Sequence, residues 1–241
     1  MDEERMEPIL FAGYPLGSSL GLIAAFEWLG QPYKVSRVKM PDDMITTAYA
    51  EVNGRQETPV LVTENGVLTE TMAIALWIER HDHGHRISFE AGSRQSDRLH
   101  RYMAFLNSSF TAAFSPLWAA LEMQGVSDQV RDTLRTFGRR AVAKRHRQLE
   151  GMLGGGKYML GDTPTLADAL FAGVARWADF HQAVDAEDYP RILALKETLE
   201  ADRAVVFAHA IEEGRPASDS GAMVGLVPVE TALRRAIDAA A

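Results

Sequence analysis

The sequence predicts an α/β domain followed by an all-helical domain, the α/β plus all-α class. Three observations predict it. Strand-type and helix-type signals alternate over the first eighty or so residues as βαβ and then ββα. Asn65-Gly66 stands between two β-type runs, a strong hairpin signal. Past residue 93 the apolar spacing is helical throughout. The divisions read as residues 1–81 for the α/β part, 82–93 for a linker, and 94–241 for the helical part with a C-terminal tail.

Ile9-Leu10-Phe11-Ala12, bounded by Pro8 and Gly13, reads as a buried strand. Ser18 and Ser19 stand where N-caps belong, ahead of Leu22, Ile23, Phe26 and Leu29 on one helical face. Gly30 supplies the left-handed stop. Tyr33 to Val38 is the second strand, and the βαβ order predicts a parallel pair. Thr58 to Val62 and Val67 to Thr69 flank the hairpin turn, and a helix starts near Glu70-Thr71 with Ile74, Trp77 and Ile78 inward. His81 to Ser93 loses periodicity and reads as a solvated linker.

In the second part, Leu99, Tyr102, Met103, Leu106, Phe110 and Phe114 recur at helical spacing until Pro116 bends or breaks the run. Val130, Leu134, Phe137 and Leu149 mark a long helix with a basic outer face, ended by Gly154-Gly155-Gly156. Leu166, Leu170, Val174 and Trp177 mark the next, and Ile192, Leu195 and Leu199 a further one. A short helix is expected around Glu230 to Ala240.

Bulk properties narrow the function. A net charge of −8 argues against nucleic acid and anionic lipid as partners. Apolar runs such as Gly21 to Phe26 are too short to span a bilayer, so no membrane role is expected. The acidic start, Met1 to Arg5, shows no signal-peptide h-region, and a cytoplasmic location is the default. With no cysteine, disulfides, thiolate metal sites and a protein thiol nucleophile are excluded.

Gln56-Glu57-Thr58-Pro59-Val60-Leu61, a hairpin, then Glu70-Thr71-Met72-Ala73-Ile74 resembles the glutathione-binding half of the glutathione transferases. Gly161-Asp162-Thr163-Pro164-Thr165-Leu166-Ala167-Asp168 resembles the helical-domain capping motif of the same family, with Thr165 and Asp168 as a capping box. The resemblance covers roughly residues 8 to 210. It implies a thioredoxin-like first domain, a homodimer and glutathione as co-substrate. It also implies attack of the bound thiolate on a hydrophobic electrophile, with detoxification as the setting and no metal. Thr58 and Pro59 match the backbone-pairing residue and cis-proline of that family. Glu70 and Thr71 match the acidic-hydroxyl pair that holds the γ-glutamyl end, and Gln56 joins them.

The chemistry fits without the family. Glu70 can pair with the γ-glutamyl ammonium, while the Thr71 hydroxyl and a helix N-terminus suit its carboxylate. The catalytic end departs from the family's Tyr, Ser and Cys patterns. Ser18 falls where the cysteine classes carry cysteine, Leu16 near the serine position, and Tyr14 near the tyrosine position. Ser18 is the first candidate for holding the thiolate, with Ser19 and Tyr14 behind it, and helix capping stays open as the alternative for both serines. Asn107 stands about where the cysteine classes carry a histidine, which disfavours a cysteine-type lyase. Asn107, Phe110 and Phe114 are the expected second-substrate pocket. A glutathione-dependent lyase or peroxidase and a noncatalytic glutathione-binding protein are the alternatives. His81-Asp82-His83-Gly84-His85 lacks the framework of a metal site and reads as linker.

Overall fold

A computed structural model describes residues 7–216, 218 and 220–240. The acidic opening read for a leader lies outside them. Strand β1 (Ile9–Tyr14), helix α1 (Ser19–Leu29) and strand β2 (Tyr33–Lys39) form the expected unit, and β1 and β2 pair in parallel, Ile9 opposite Lys34. A short helix α2 (Thr47–Val52), absent from the sequence reading, precedes the hairpin β3 (Val60–Thr63) and β4 (Gly66–Thr69). Gly66 has φ 109, the left-handed turn for which Asn65-Gly66 is suited. Helix α3 (Thr71–His81) follows. Gly30 caps α1 at φ 74, as predicted.

The helical layer runs through α4 (Arg94–Phe105), a π turn (Leu106–Phe110), a 3-10 turn (Thr111–Phe114) and α5 (Ser115–Glu122). Pro116 therefore starts a helix rather than breaking one, because at the first turn its missing N–H has no partner to lose. Then come α6 (Asp128–Met152), α7 (Leu166–Ala175), α8 (Trp177–Phe180), α9 (Pro190–Glu200) and α10 (Arg203–Glu213). Val130 and Phe137, expected inward, are 43% and 64% exposed, because the face of α6 turned to α5 runs through Arg131, Leu134 and Gly138, and these two stand off it. Among the described residues no helix is long and apolar enough to cross a membrane.

The linker reading needs correction. Asp82 is buried, and its carboxylate accepts from the N–H groups of Arg86 and Ile87 at 2.9 Å and from the Ser88 hydroxyl at 2.7 Å. One carboxylate thus organises the turn between the layers. Arg86 donates to the Leu29 carbonyl at the end of α1, and Leu166 N–H donates to the Ile87 carbonyl. His81 bonds to the Trp77 carbonyl and His85 to Glu90, so the histidines serve separate partners.

The tail is the larger departure. Residues 223–240 do not belong to the helical layer. Strand β5 (Met223–Leu226) adds in parallel to β2, giving the order β4-β3-β1-β2-β5. Helix α11 (Val229–Ala240) then lies on the sheet face opposite α1 and α3. Its Ala232, Leu233 and Ala236 pack with Ile9, Phe11, Val38, Tyr49, Val60 and Val62. The six-residue α2 leaves part of that apolar face uncovered, and α11 completes it.

Candidate functional site

The C-terminal end of β1 and the open end of the β3–β4 hairpin meet. Phe11 pairs with Val60, and Val60 pairs with Thr69. That register sets Pro59 and Glu70 side by side at the open end of the hairpin. Brackets of this kind, at the strand ends of an open sheet, are where α/β folds hold ligands.

Thr58 is half-buried and the Thr58–Pro59 bond is cis, as the resemblance implies. Thr58 Oγ1 donates to Met40 Sδ at 3.3 Å. A Cβ on Gly13 would lie 2.3 Å from that Oγ1 and 2.6 Å from the sulfur, so only glycine allows β1 this close. The approach to Thr58 is built locally. Asn53 Nδ2 and the Tyr49 hydroxyl both donate to the Glu57 carbonyl, at 2.8 and 2.9 Å. Gln56 N–H donates to the Asn53 carbonyl, and Gln56 takes φ 53.

Glu70 stands at the N-cap of α3 with φ 73 and ψ 123, a conformation costly for a side chain other than glycine. Its carboxylate is exposed and lies 3.4 Å from the Arg55 guanidinium, which also holds Glu57 at 2.9 Å. Thr71 opens the helix, where N–H groups lack intrahelical partners. Gln56, Thr58, Pro59, Glu70 and Thr71 therefore form one group.

At the other side of Gly13 is the loop from β1 to α1. Ser19 is buried and its Oγ accepts the Gly13 N–H at 3.0 Å, so this hydroxyl holds the loop and does not cap α1. Ser18 is the N-cap residue by position, but its side chain makes no cap bond because its backbone is already helical, φ −63 and ψ −19. The capping alternative thus fails for both serines, and Ser18 alone keeps a half-buried hydroxyl without a capping role. The Tyr14 ring lies under the Arg37 guanidinium at 4.3 Å, a contact that engages its face.

The loop is strapped to the helical layer, which the sequence reading missed. Leu16 has φ 62, and its N–H donates to Glu212 Oε1 at 2.5 Å. Trp177 Nε1 donates to the Leu16 carbonyl at 2.9 Å and Arg176 Nη2 to the Gly17 carbonyl at 3.1 Å. Arg176 also pairs with Glu212 at 2.6 Å, the two side chains being 15% and 10% exposed. Arg37 donates to the Glu212 carbonyl at 2.8 Å. No local motif marks these residues, since the loop and Arg37 lie over 150 positions from the groups that hold them.

Phe110 and Phe114 do not line a pocket. They are 1% and 0% exposed, packed at tilted and edge-on angles with His146, Phe171 and Trp177 in the helical core. Asn107 is exposed on the π turn. The apolar residue beside the loop is instead half-buried Trp177, against which half-buried Trp118 packs edge to face at 5.3 Å. Asp97, in the first turn of α4, is exposed.

The capping box forms as predicted. Asp168 accepts from Thr165 N–H and Oγ1, both at 2.8 Å, and from Met159 N–H at 2.9 Å. Burial pushes its carboxyl up to about 6, against the pull of those donors. Buried His146 is held below the ordinary imidazole range by desolvation.

The comparisons with known proteins agree with this layout. The family described as "Glutathione S-transferase, N-terminal domain" matches residues 19–81, and "Glutathione S-transferase, C-terminal domain" matches residues 122–202. Glutathione S-transferase GST-4.5 of Xanthomonas campestris pv. campestris is 26% identical over 204 residues, 79% of this chain and 92% of its own. A sphingomonad glutathione S-transferase, solved in complex with glutathione, is 25% identical with a TM-score of 0.72, over 85% of this chain and 98% of that one. The glutathione S-transferase of Xylella fastidiosa shares the fold, at 22% identity and a TM-score of 0.75, over 87% of this chain and 100% of its own. Tyr14, Ser18, Glu212 and the β5–α11 tail fall outside both matched segments.

Proposed function

This chain belongs to the glutathione transferase superfamily, and on that premise we propose that it binds glutathione at Thr58, Pro59, Glu70 and Thr71 and conjugates its thiolate to an apolar electrophile. The observation that carries the reading is the pairing of Val60 with Thr69, which brings Pro59 and Glu70 together at the open end of the hairpin. The tripeptide backbone pairs beside Pro59 as an added strand would. Glu70 takes the γ-glutamyl ammonium, exchanging its exposed contact with Arg55 for a ligand cation. Thr71 and the first N–H groups of α3 take the carboxylate. Gln56 supports the same end.

Ser18 holds the thiolate in this reading, since Ser19 is engaged by Gly13 and the Tyr14 face by Arg37. A hydroxyl donor and the start of α1 both favour the anion over the thiol. Trp118 and Trp177 replace Phe110 and Phe114 as the apolar wall for the electrophile, with Asn107 outside it. The protein contributes binding, orientation and an anion site; the thiolate belongs to glutathione. The same reading carries a homodimer, a cytoplasmic setting, and the division into residues 1–81, 82–93 and 94–241 with the last strand and helix returned to the sheet.

The test is glutathione binding by calorimetry beside conjugation to an aryl halide followed by mass spectrometry. Wild-type protein is expected to bind and to yield the thioether. Glu70→Gln is expected to weaken binding by about tenfold or more, since it removes one partner of a charge-assisted pair. Binding without thioether formation overturns the transferase reading in favour of a binding protein.

A further inference from the structure

The loop between β1 and α1 carries Ser18. The bond from the Gly13 N–H to Ser19 Oγ ties its two ends together, and between them stand Leu16 at φ 62 and glycine at position 17. Further bonds to those two residues arrive from the far end of the chain. Glu212, in the last turn of α10, accepts the Leu16 N–H. Arg176, between α7 and α8, bridges Glu212 Oε2 and the Gly17 carbonyl. Trp177 holds the Leu16 carbonyl. Three side chains thus bond one group on each of three consecutive peptide units, from Pro15–Leu16 to Gly17–Ser18.

Two features separate this from ordinary packing between layers. The Arg176–Glu212 pair is largely out of water, where removing one partner leaves a charge uncompensated. The end of α10 is also fixed independently, through Arg37 on β2 and the Gly214 stop at φ 69. Glu212 is therefore held at its own position before it meets the loop.

We propose that Glu212 and Arg176 are positioning residues for the thiolate site. They orient the peptide units that aim Ser18 and the start of α1 at the bound sulfur, without touching glutathione themselves. This rests on the transferase reading above. Misplacing a donor by about 1 Å is enough to lose much of an anion site's effect. Breaking the strap then weakens thiolate stabilisation while leaving the Glu70 end of the site intact.

The experiment is the ultraviolet titration of the thiolate of bound glutathione, in wild type, Glu212→Gln, Arg176→Lys and Trp177→Phe, with glutathione affinity and thermal midpoint measured alongside. Glu212→Gln keeps the shape and removes the charge. Trp177→Phe keeps the ring and removes only the bond to Leu16, so it stays informative if Glu212→Gln folds poorly. In wild type the midpoint is expected below the ordinary thiol value of about 8.5. In Glu212→Gln it moves back up toward that value, with affinity changed less than about twofold at a pH below the wild-type midpoint, where the thiol form binds, and weakened above it. Arg176→Lys retains part of the lowering, and Trp177→Phe shows a smaller rise of the same sign. A wild-type midpoint below that of free glutathione, unmoved in Glu212→Gln and Trp177→Phe, overturns the positioning role even if the thermal midpoint drops. A wild-type midpoint equal to that of free glutathione overturns the transferase reading, and this inference with it.

Discussion

Gly13 at the end of β1 and Thr58 ahead of β3 stand so close that a single methyl group on Gly13 would lie 2.3 Å from the Thr58 hydroxyl oxygen. The same glycine donates its N–H to Ser19. It therefore joins the two halves of the candidate site, the Thr58–Glu70 end and the Ser18 loop. Gly13→Ala is expected to push Thr58 aside rather than unfold the protein, because Thr58 is only half-buried and has room to turn. Overpacking of this kind costs about 1–3 kcal/mol of stability. Glutathione affinity is expected to drop by about tenfold or more, which calorimetry reads directly. Unchanged affinity with a folded variant would remove Thr58 from the binding surface.

A second close approach joins the layers. A Cβ on Gly21 would meet the Ala169 carbonyl oxygen at 1.8 Å, and one on Gly173 would meet the Ser18 carbonyl oxygen at 2.3 Å. Both obstacles are backbone, so neither can turn away. Helices α1 and α7 cross there with nothing but glycine between them. Gly21→Ala and Gly173→Ala are each expected to cost about 3 kcal/mol or more, beyond the smaller gain in helix propensity. Urea unfolding checks this. A loss under about 1 kcal/mol in both would mean the helices separate freely at the crossing.

The parts of this protein that local pattern encodes were legible, and the parts that distance encodes were not. The Asn65-Gly66 turn, the Gly30 stop and the Thr165–Asp168 box each lie within a few residues of their partners, so sequence spacing reveals them. Thr58 and Glu70 were legible because one hairpin carries both. Strand β5 was not, since Met223 to Leu226 is only four residues long and its partner β2 is nearly two hundred positions upstream. Helix α10 is hard to read because its apolar residues do not keep to one face: Val205, Phe207 and Ile211 are buried with three alanines, while Val206 between them is exposed. With α10 went Glu212. Phe110 and Phe114 lie in the core although their pattern also suits a pocket, because aromatic residues at helical spacing look alike in both and only burial distinguishes them.

Two buried titratable groups in the helical layer act in opposite directions on acidification. Asp168 is raised to about 6 from 3.8, so between those values the folded chain holds a proton that the unfolded chain has released. Its contribution to stability therefore increases as pH falls from about 6 to 4, by on the order of 2 kcal/mol. His146 is depressed, so below about 6.5 the unfolded chain gains a proton that the folded one refuses, and stability is lost as pH falls. Urea midpoints compared between pH 7.5 and 4.5 should show Asp168→Asn losing stability more steeply than wild type and His146→Phe less steeply. Parallel profiles for all three would mean that neither group changes its proton occupancy on folding.

The tail should behave as part of the first domain. Leu233 is buried against the sheet beside Ala232 and Ala236, in a cluster that includes Ile9, Phe11, Val60 and Val62. Those strand residues are fully buried, and without α11 they lose the cover that short α2 does not supply. Leu233→Ala is expected to cost about 2–4 kcal/mol, the range for deleting a buried leucine side chain. A chain ending at residue 216 should lose the β5 ladder as well, leaving the Tyr33 N–H without the Ala222 carbonyl and the Val35 carbonyl without the Val227 N–H. Such a chain is expected to bind a hydrophobic dye and to aggregate, because an apolar sheet face of this extent does not stay in water unpartnered. Urea unfolding of Leu233→Ala and dye binding by the shortened chain check the two expectations. A shortened chain that stays monomeric with an unchanged unfolding midpoint would show that the sheet closes without its fifth strand.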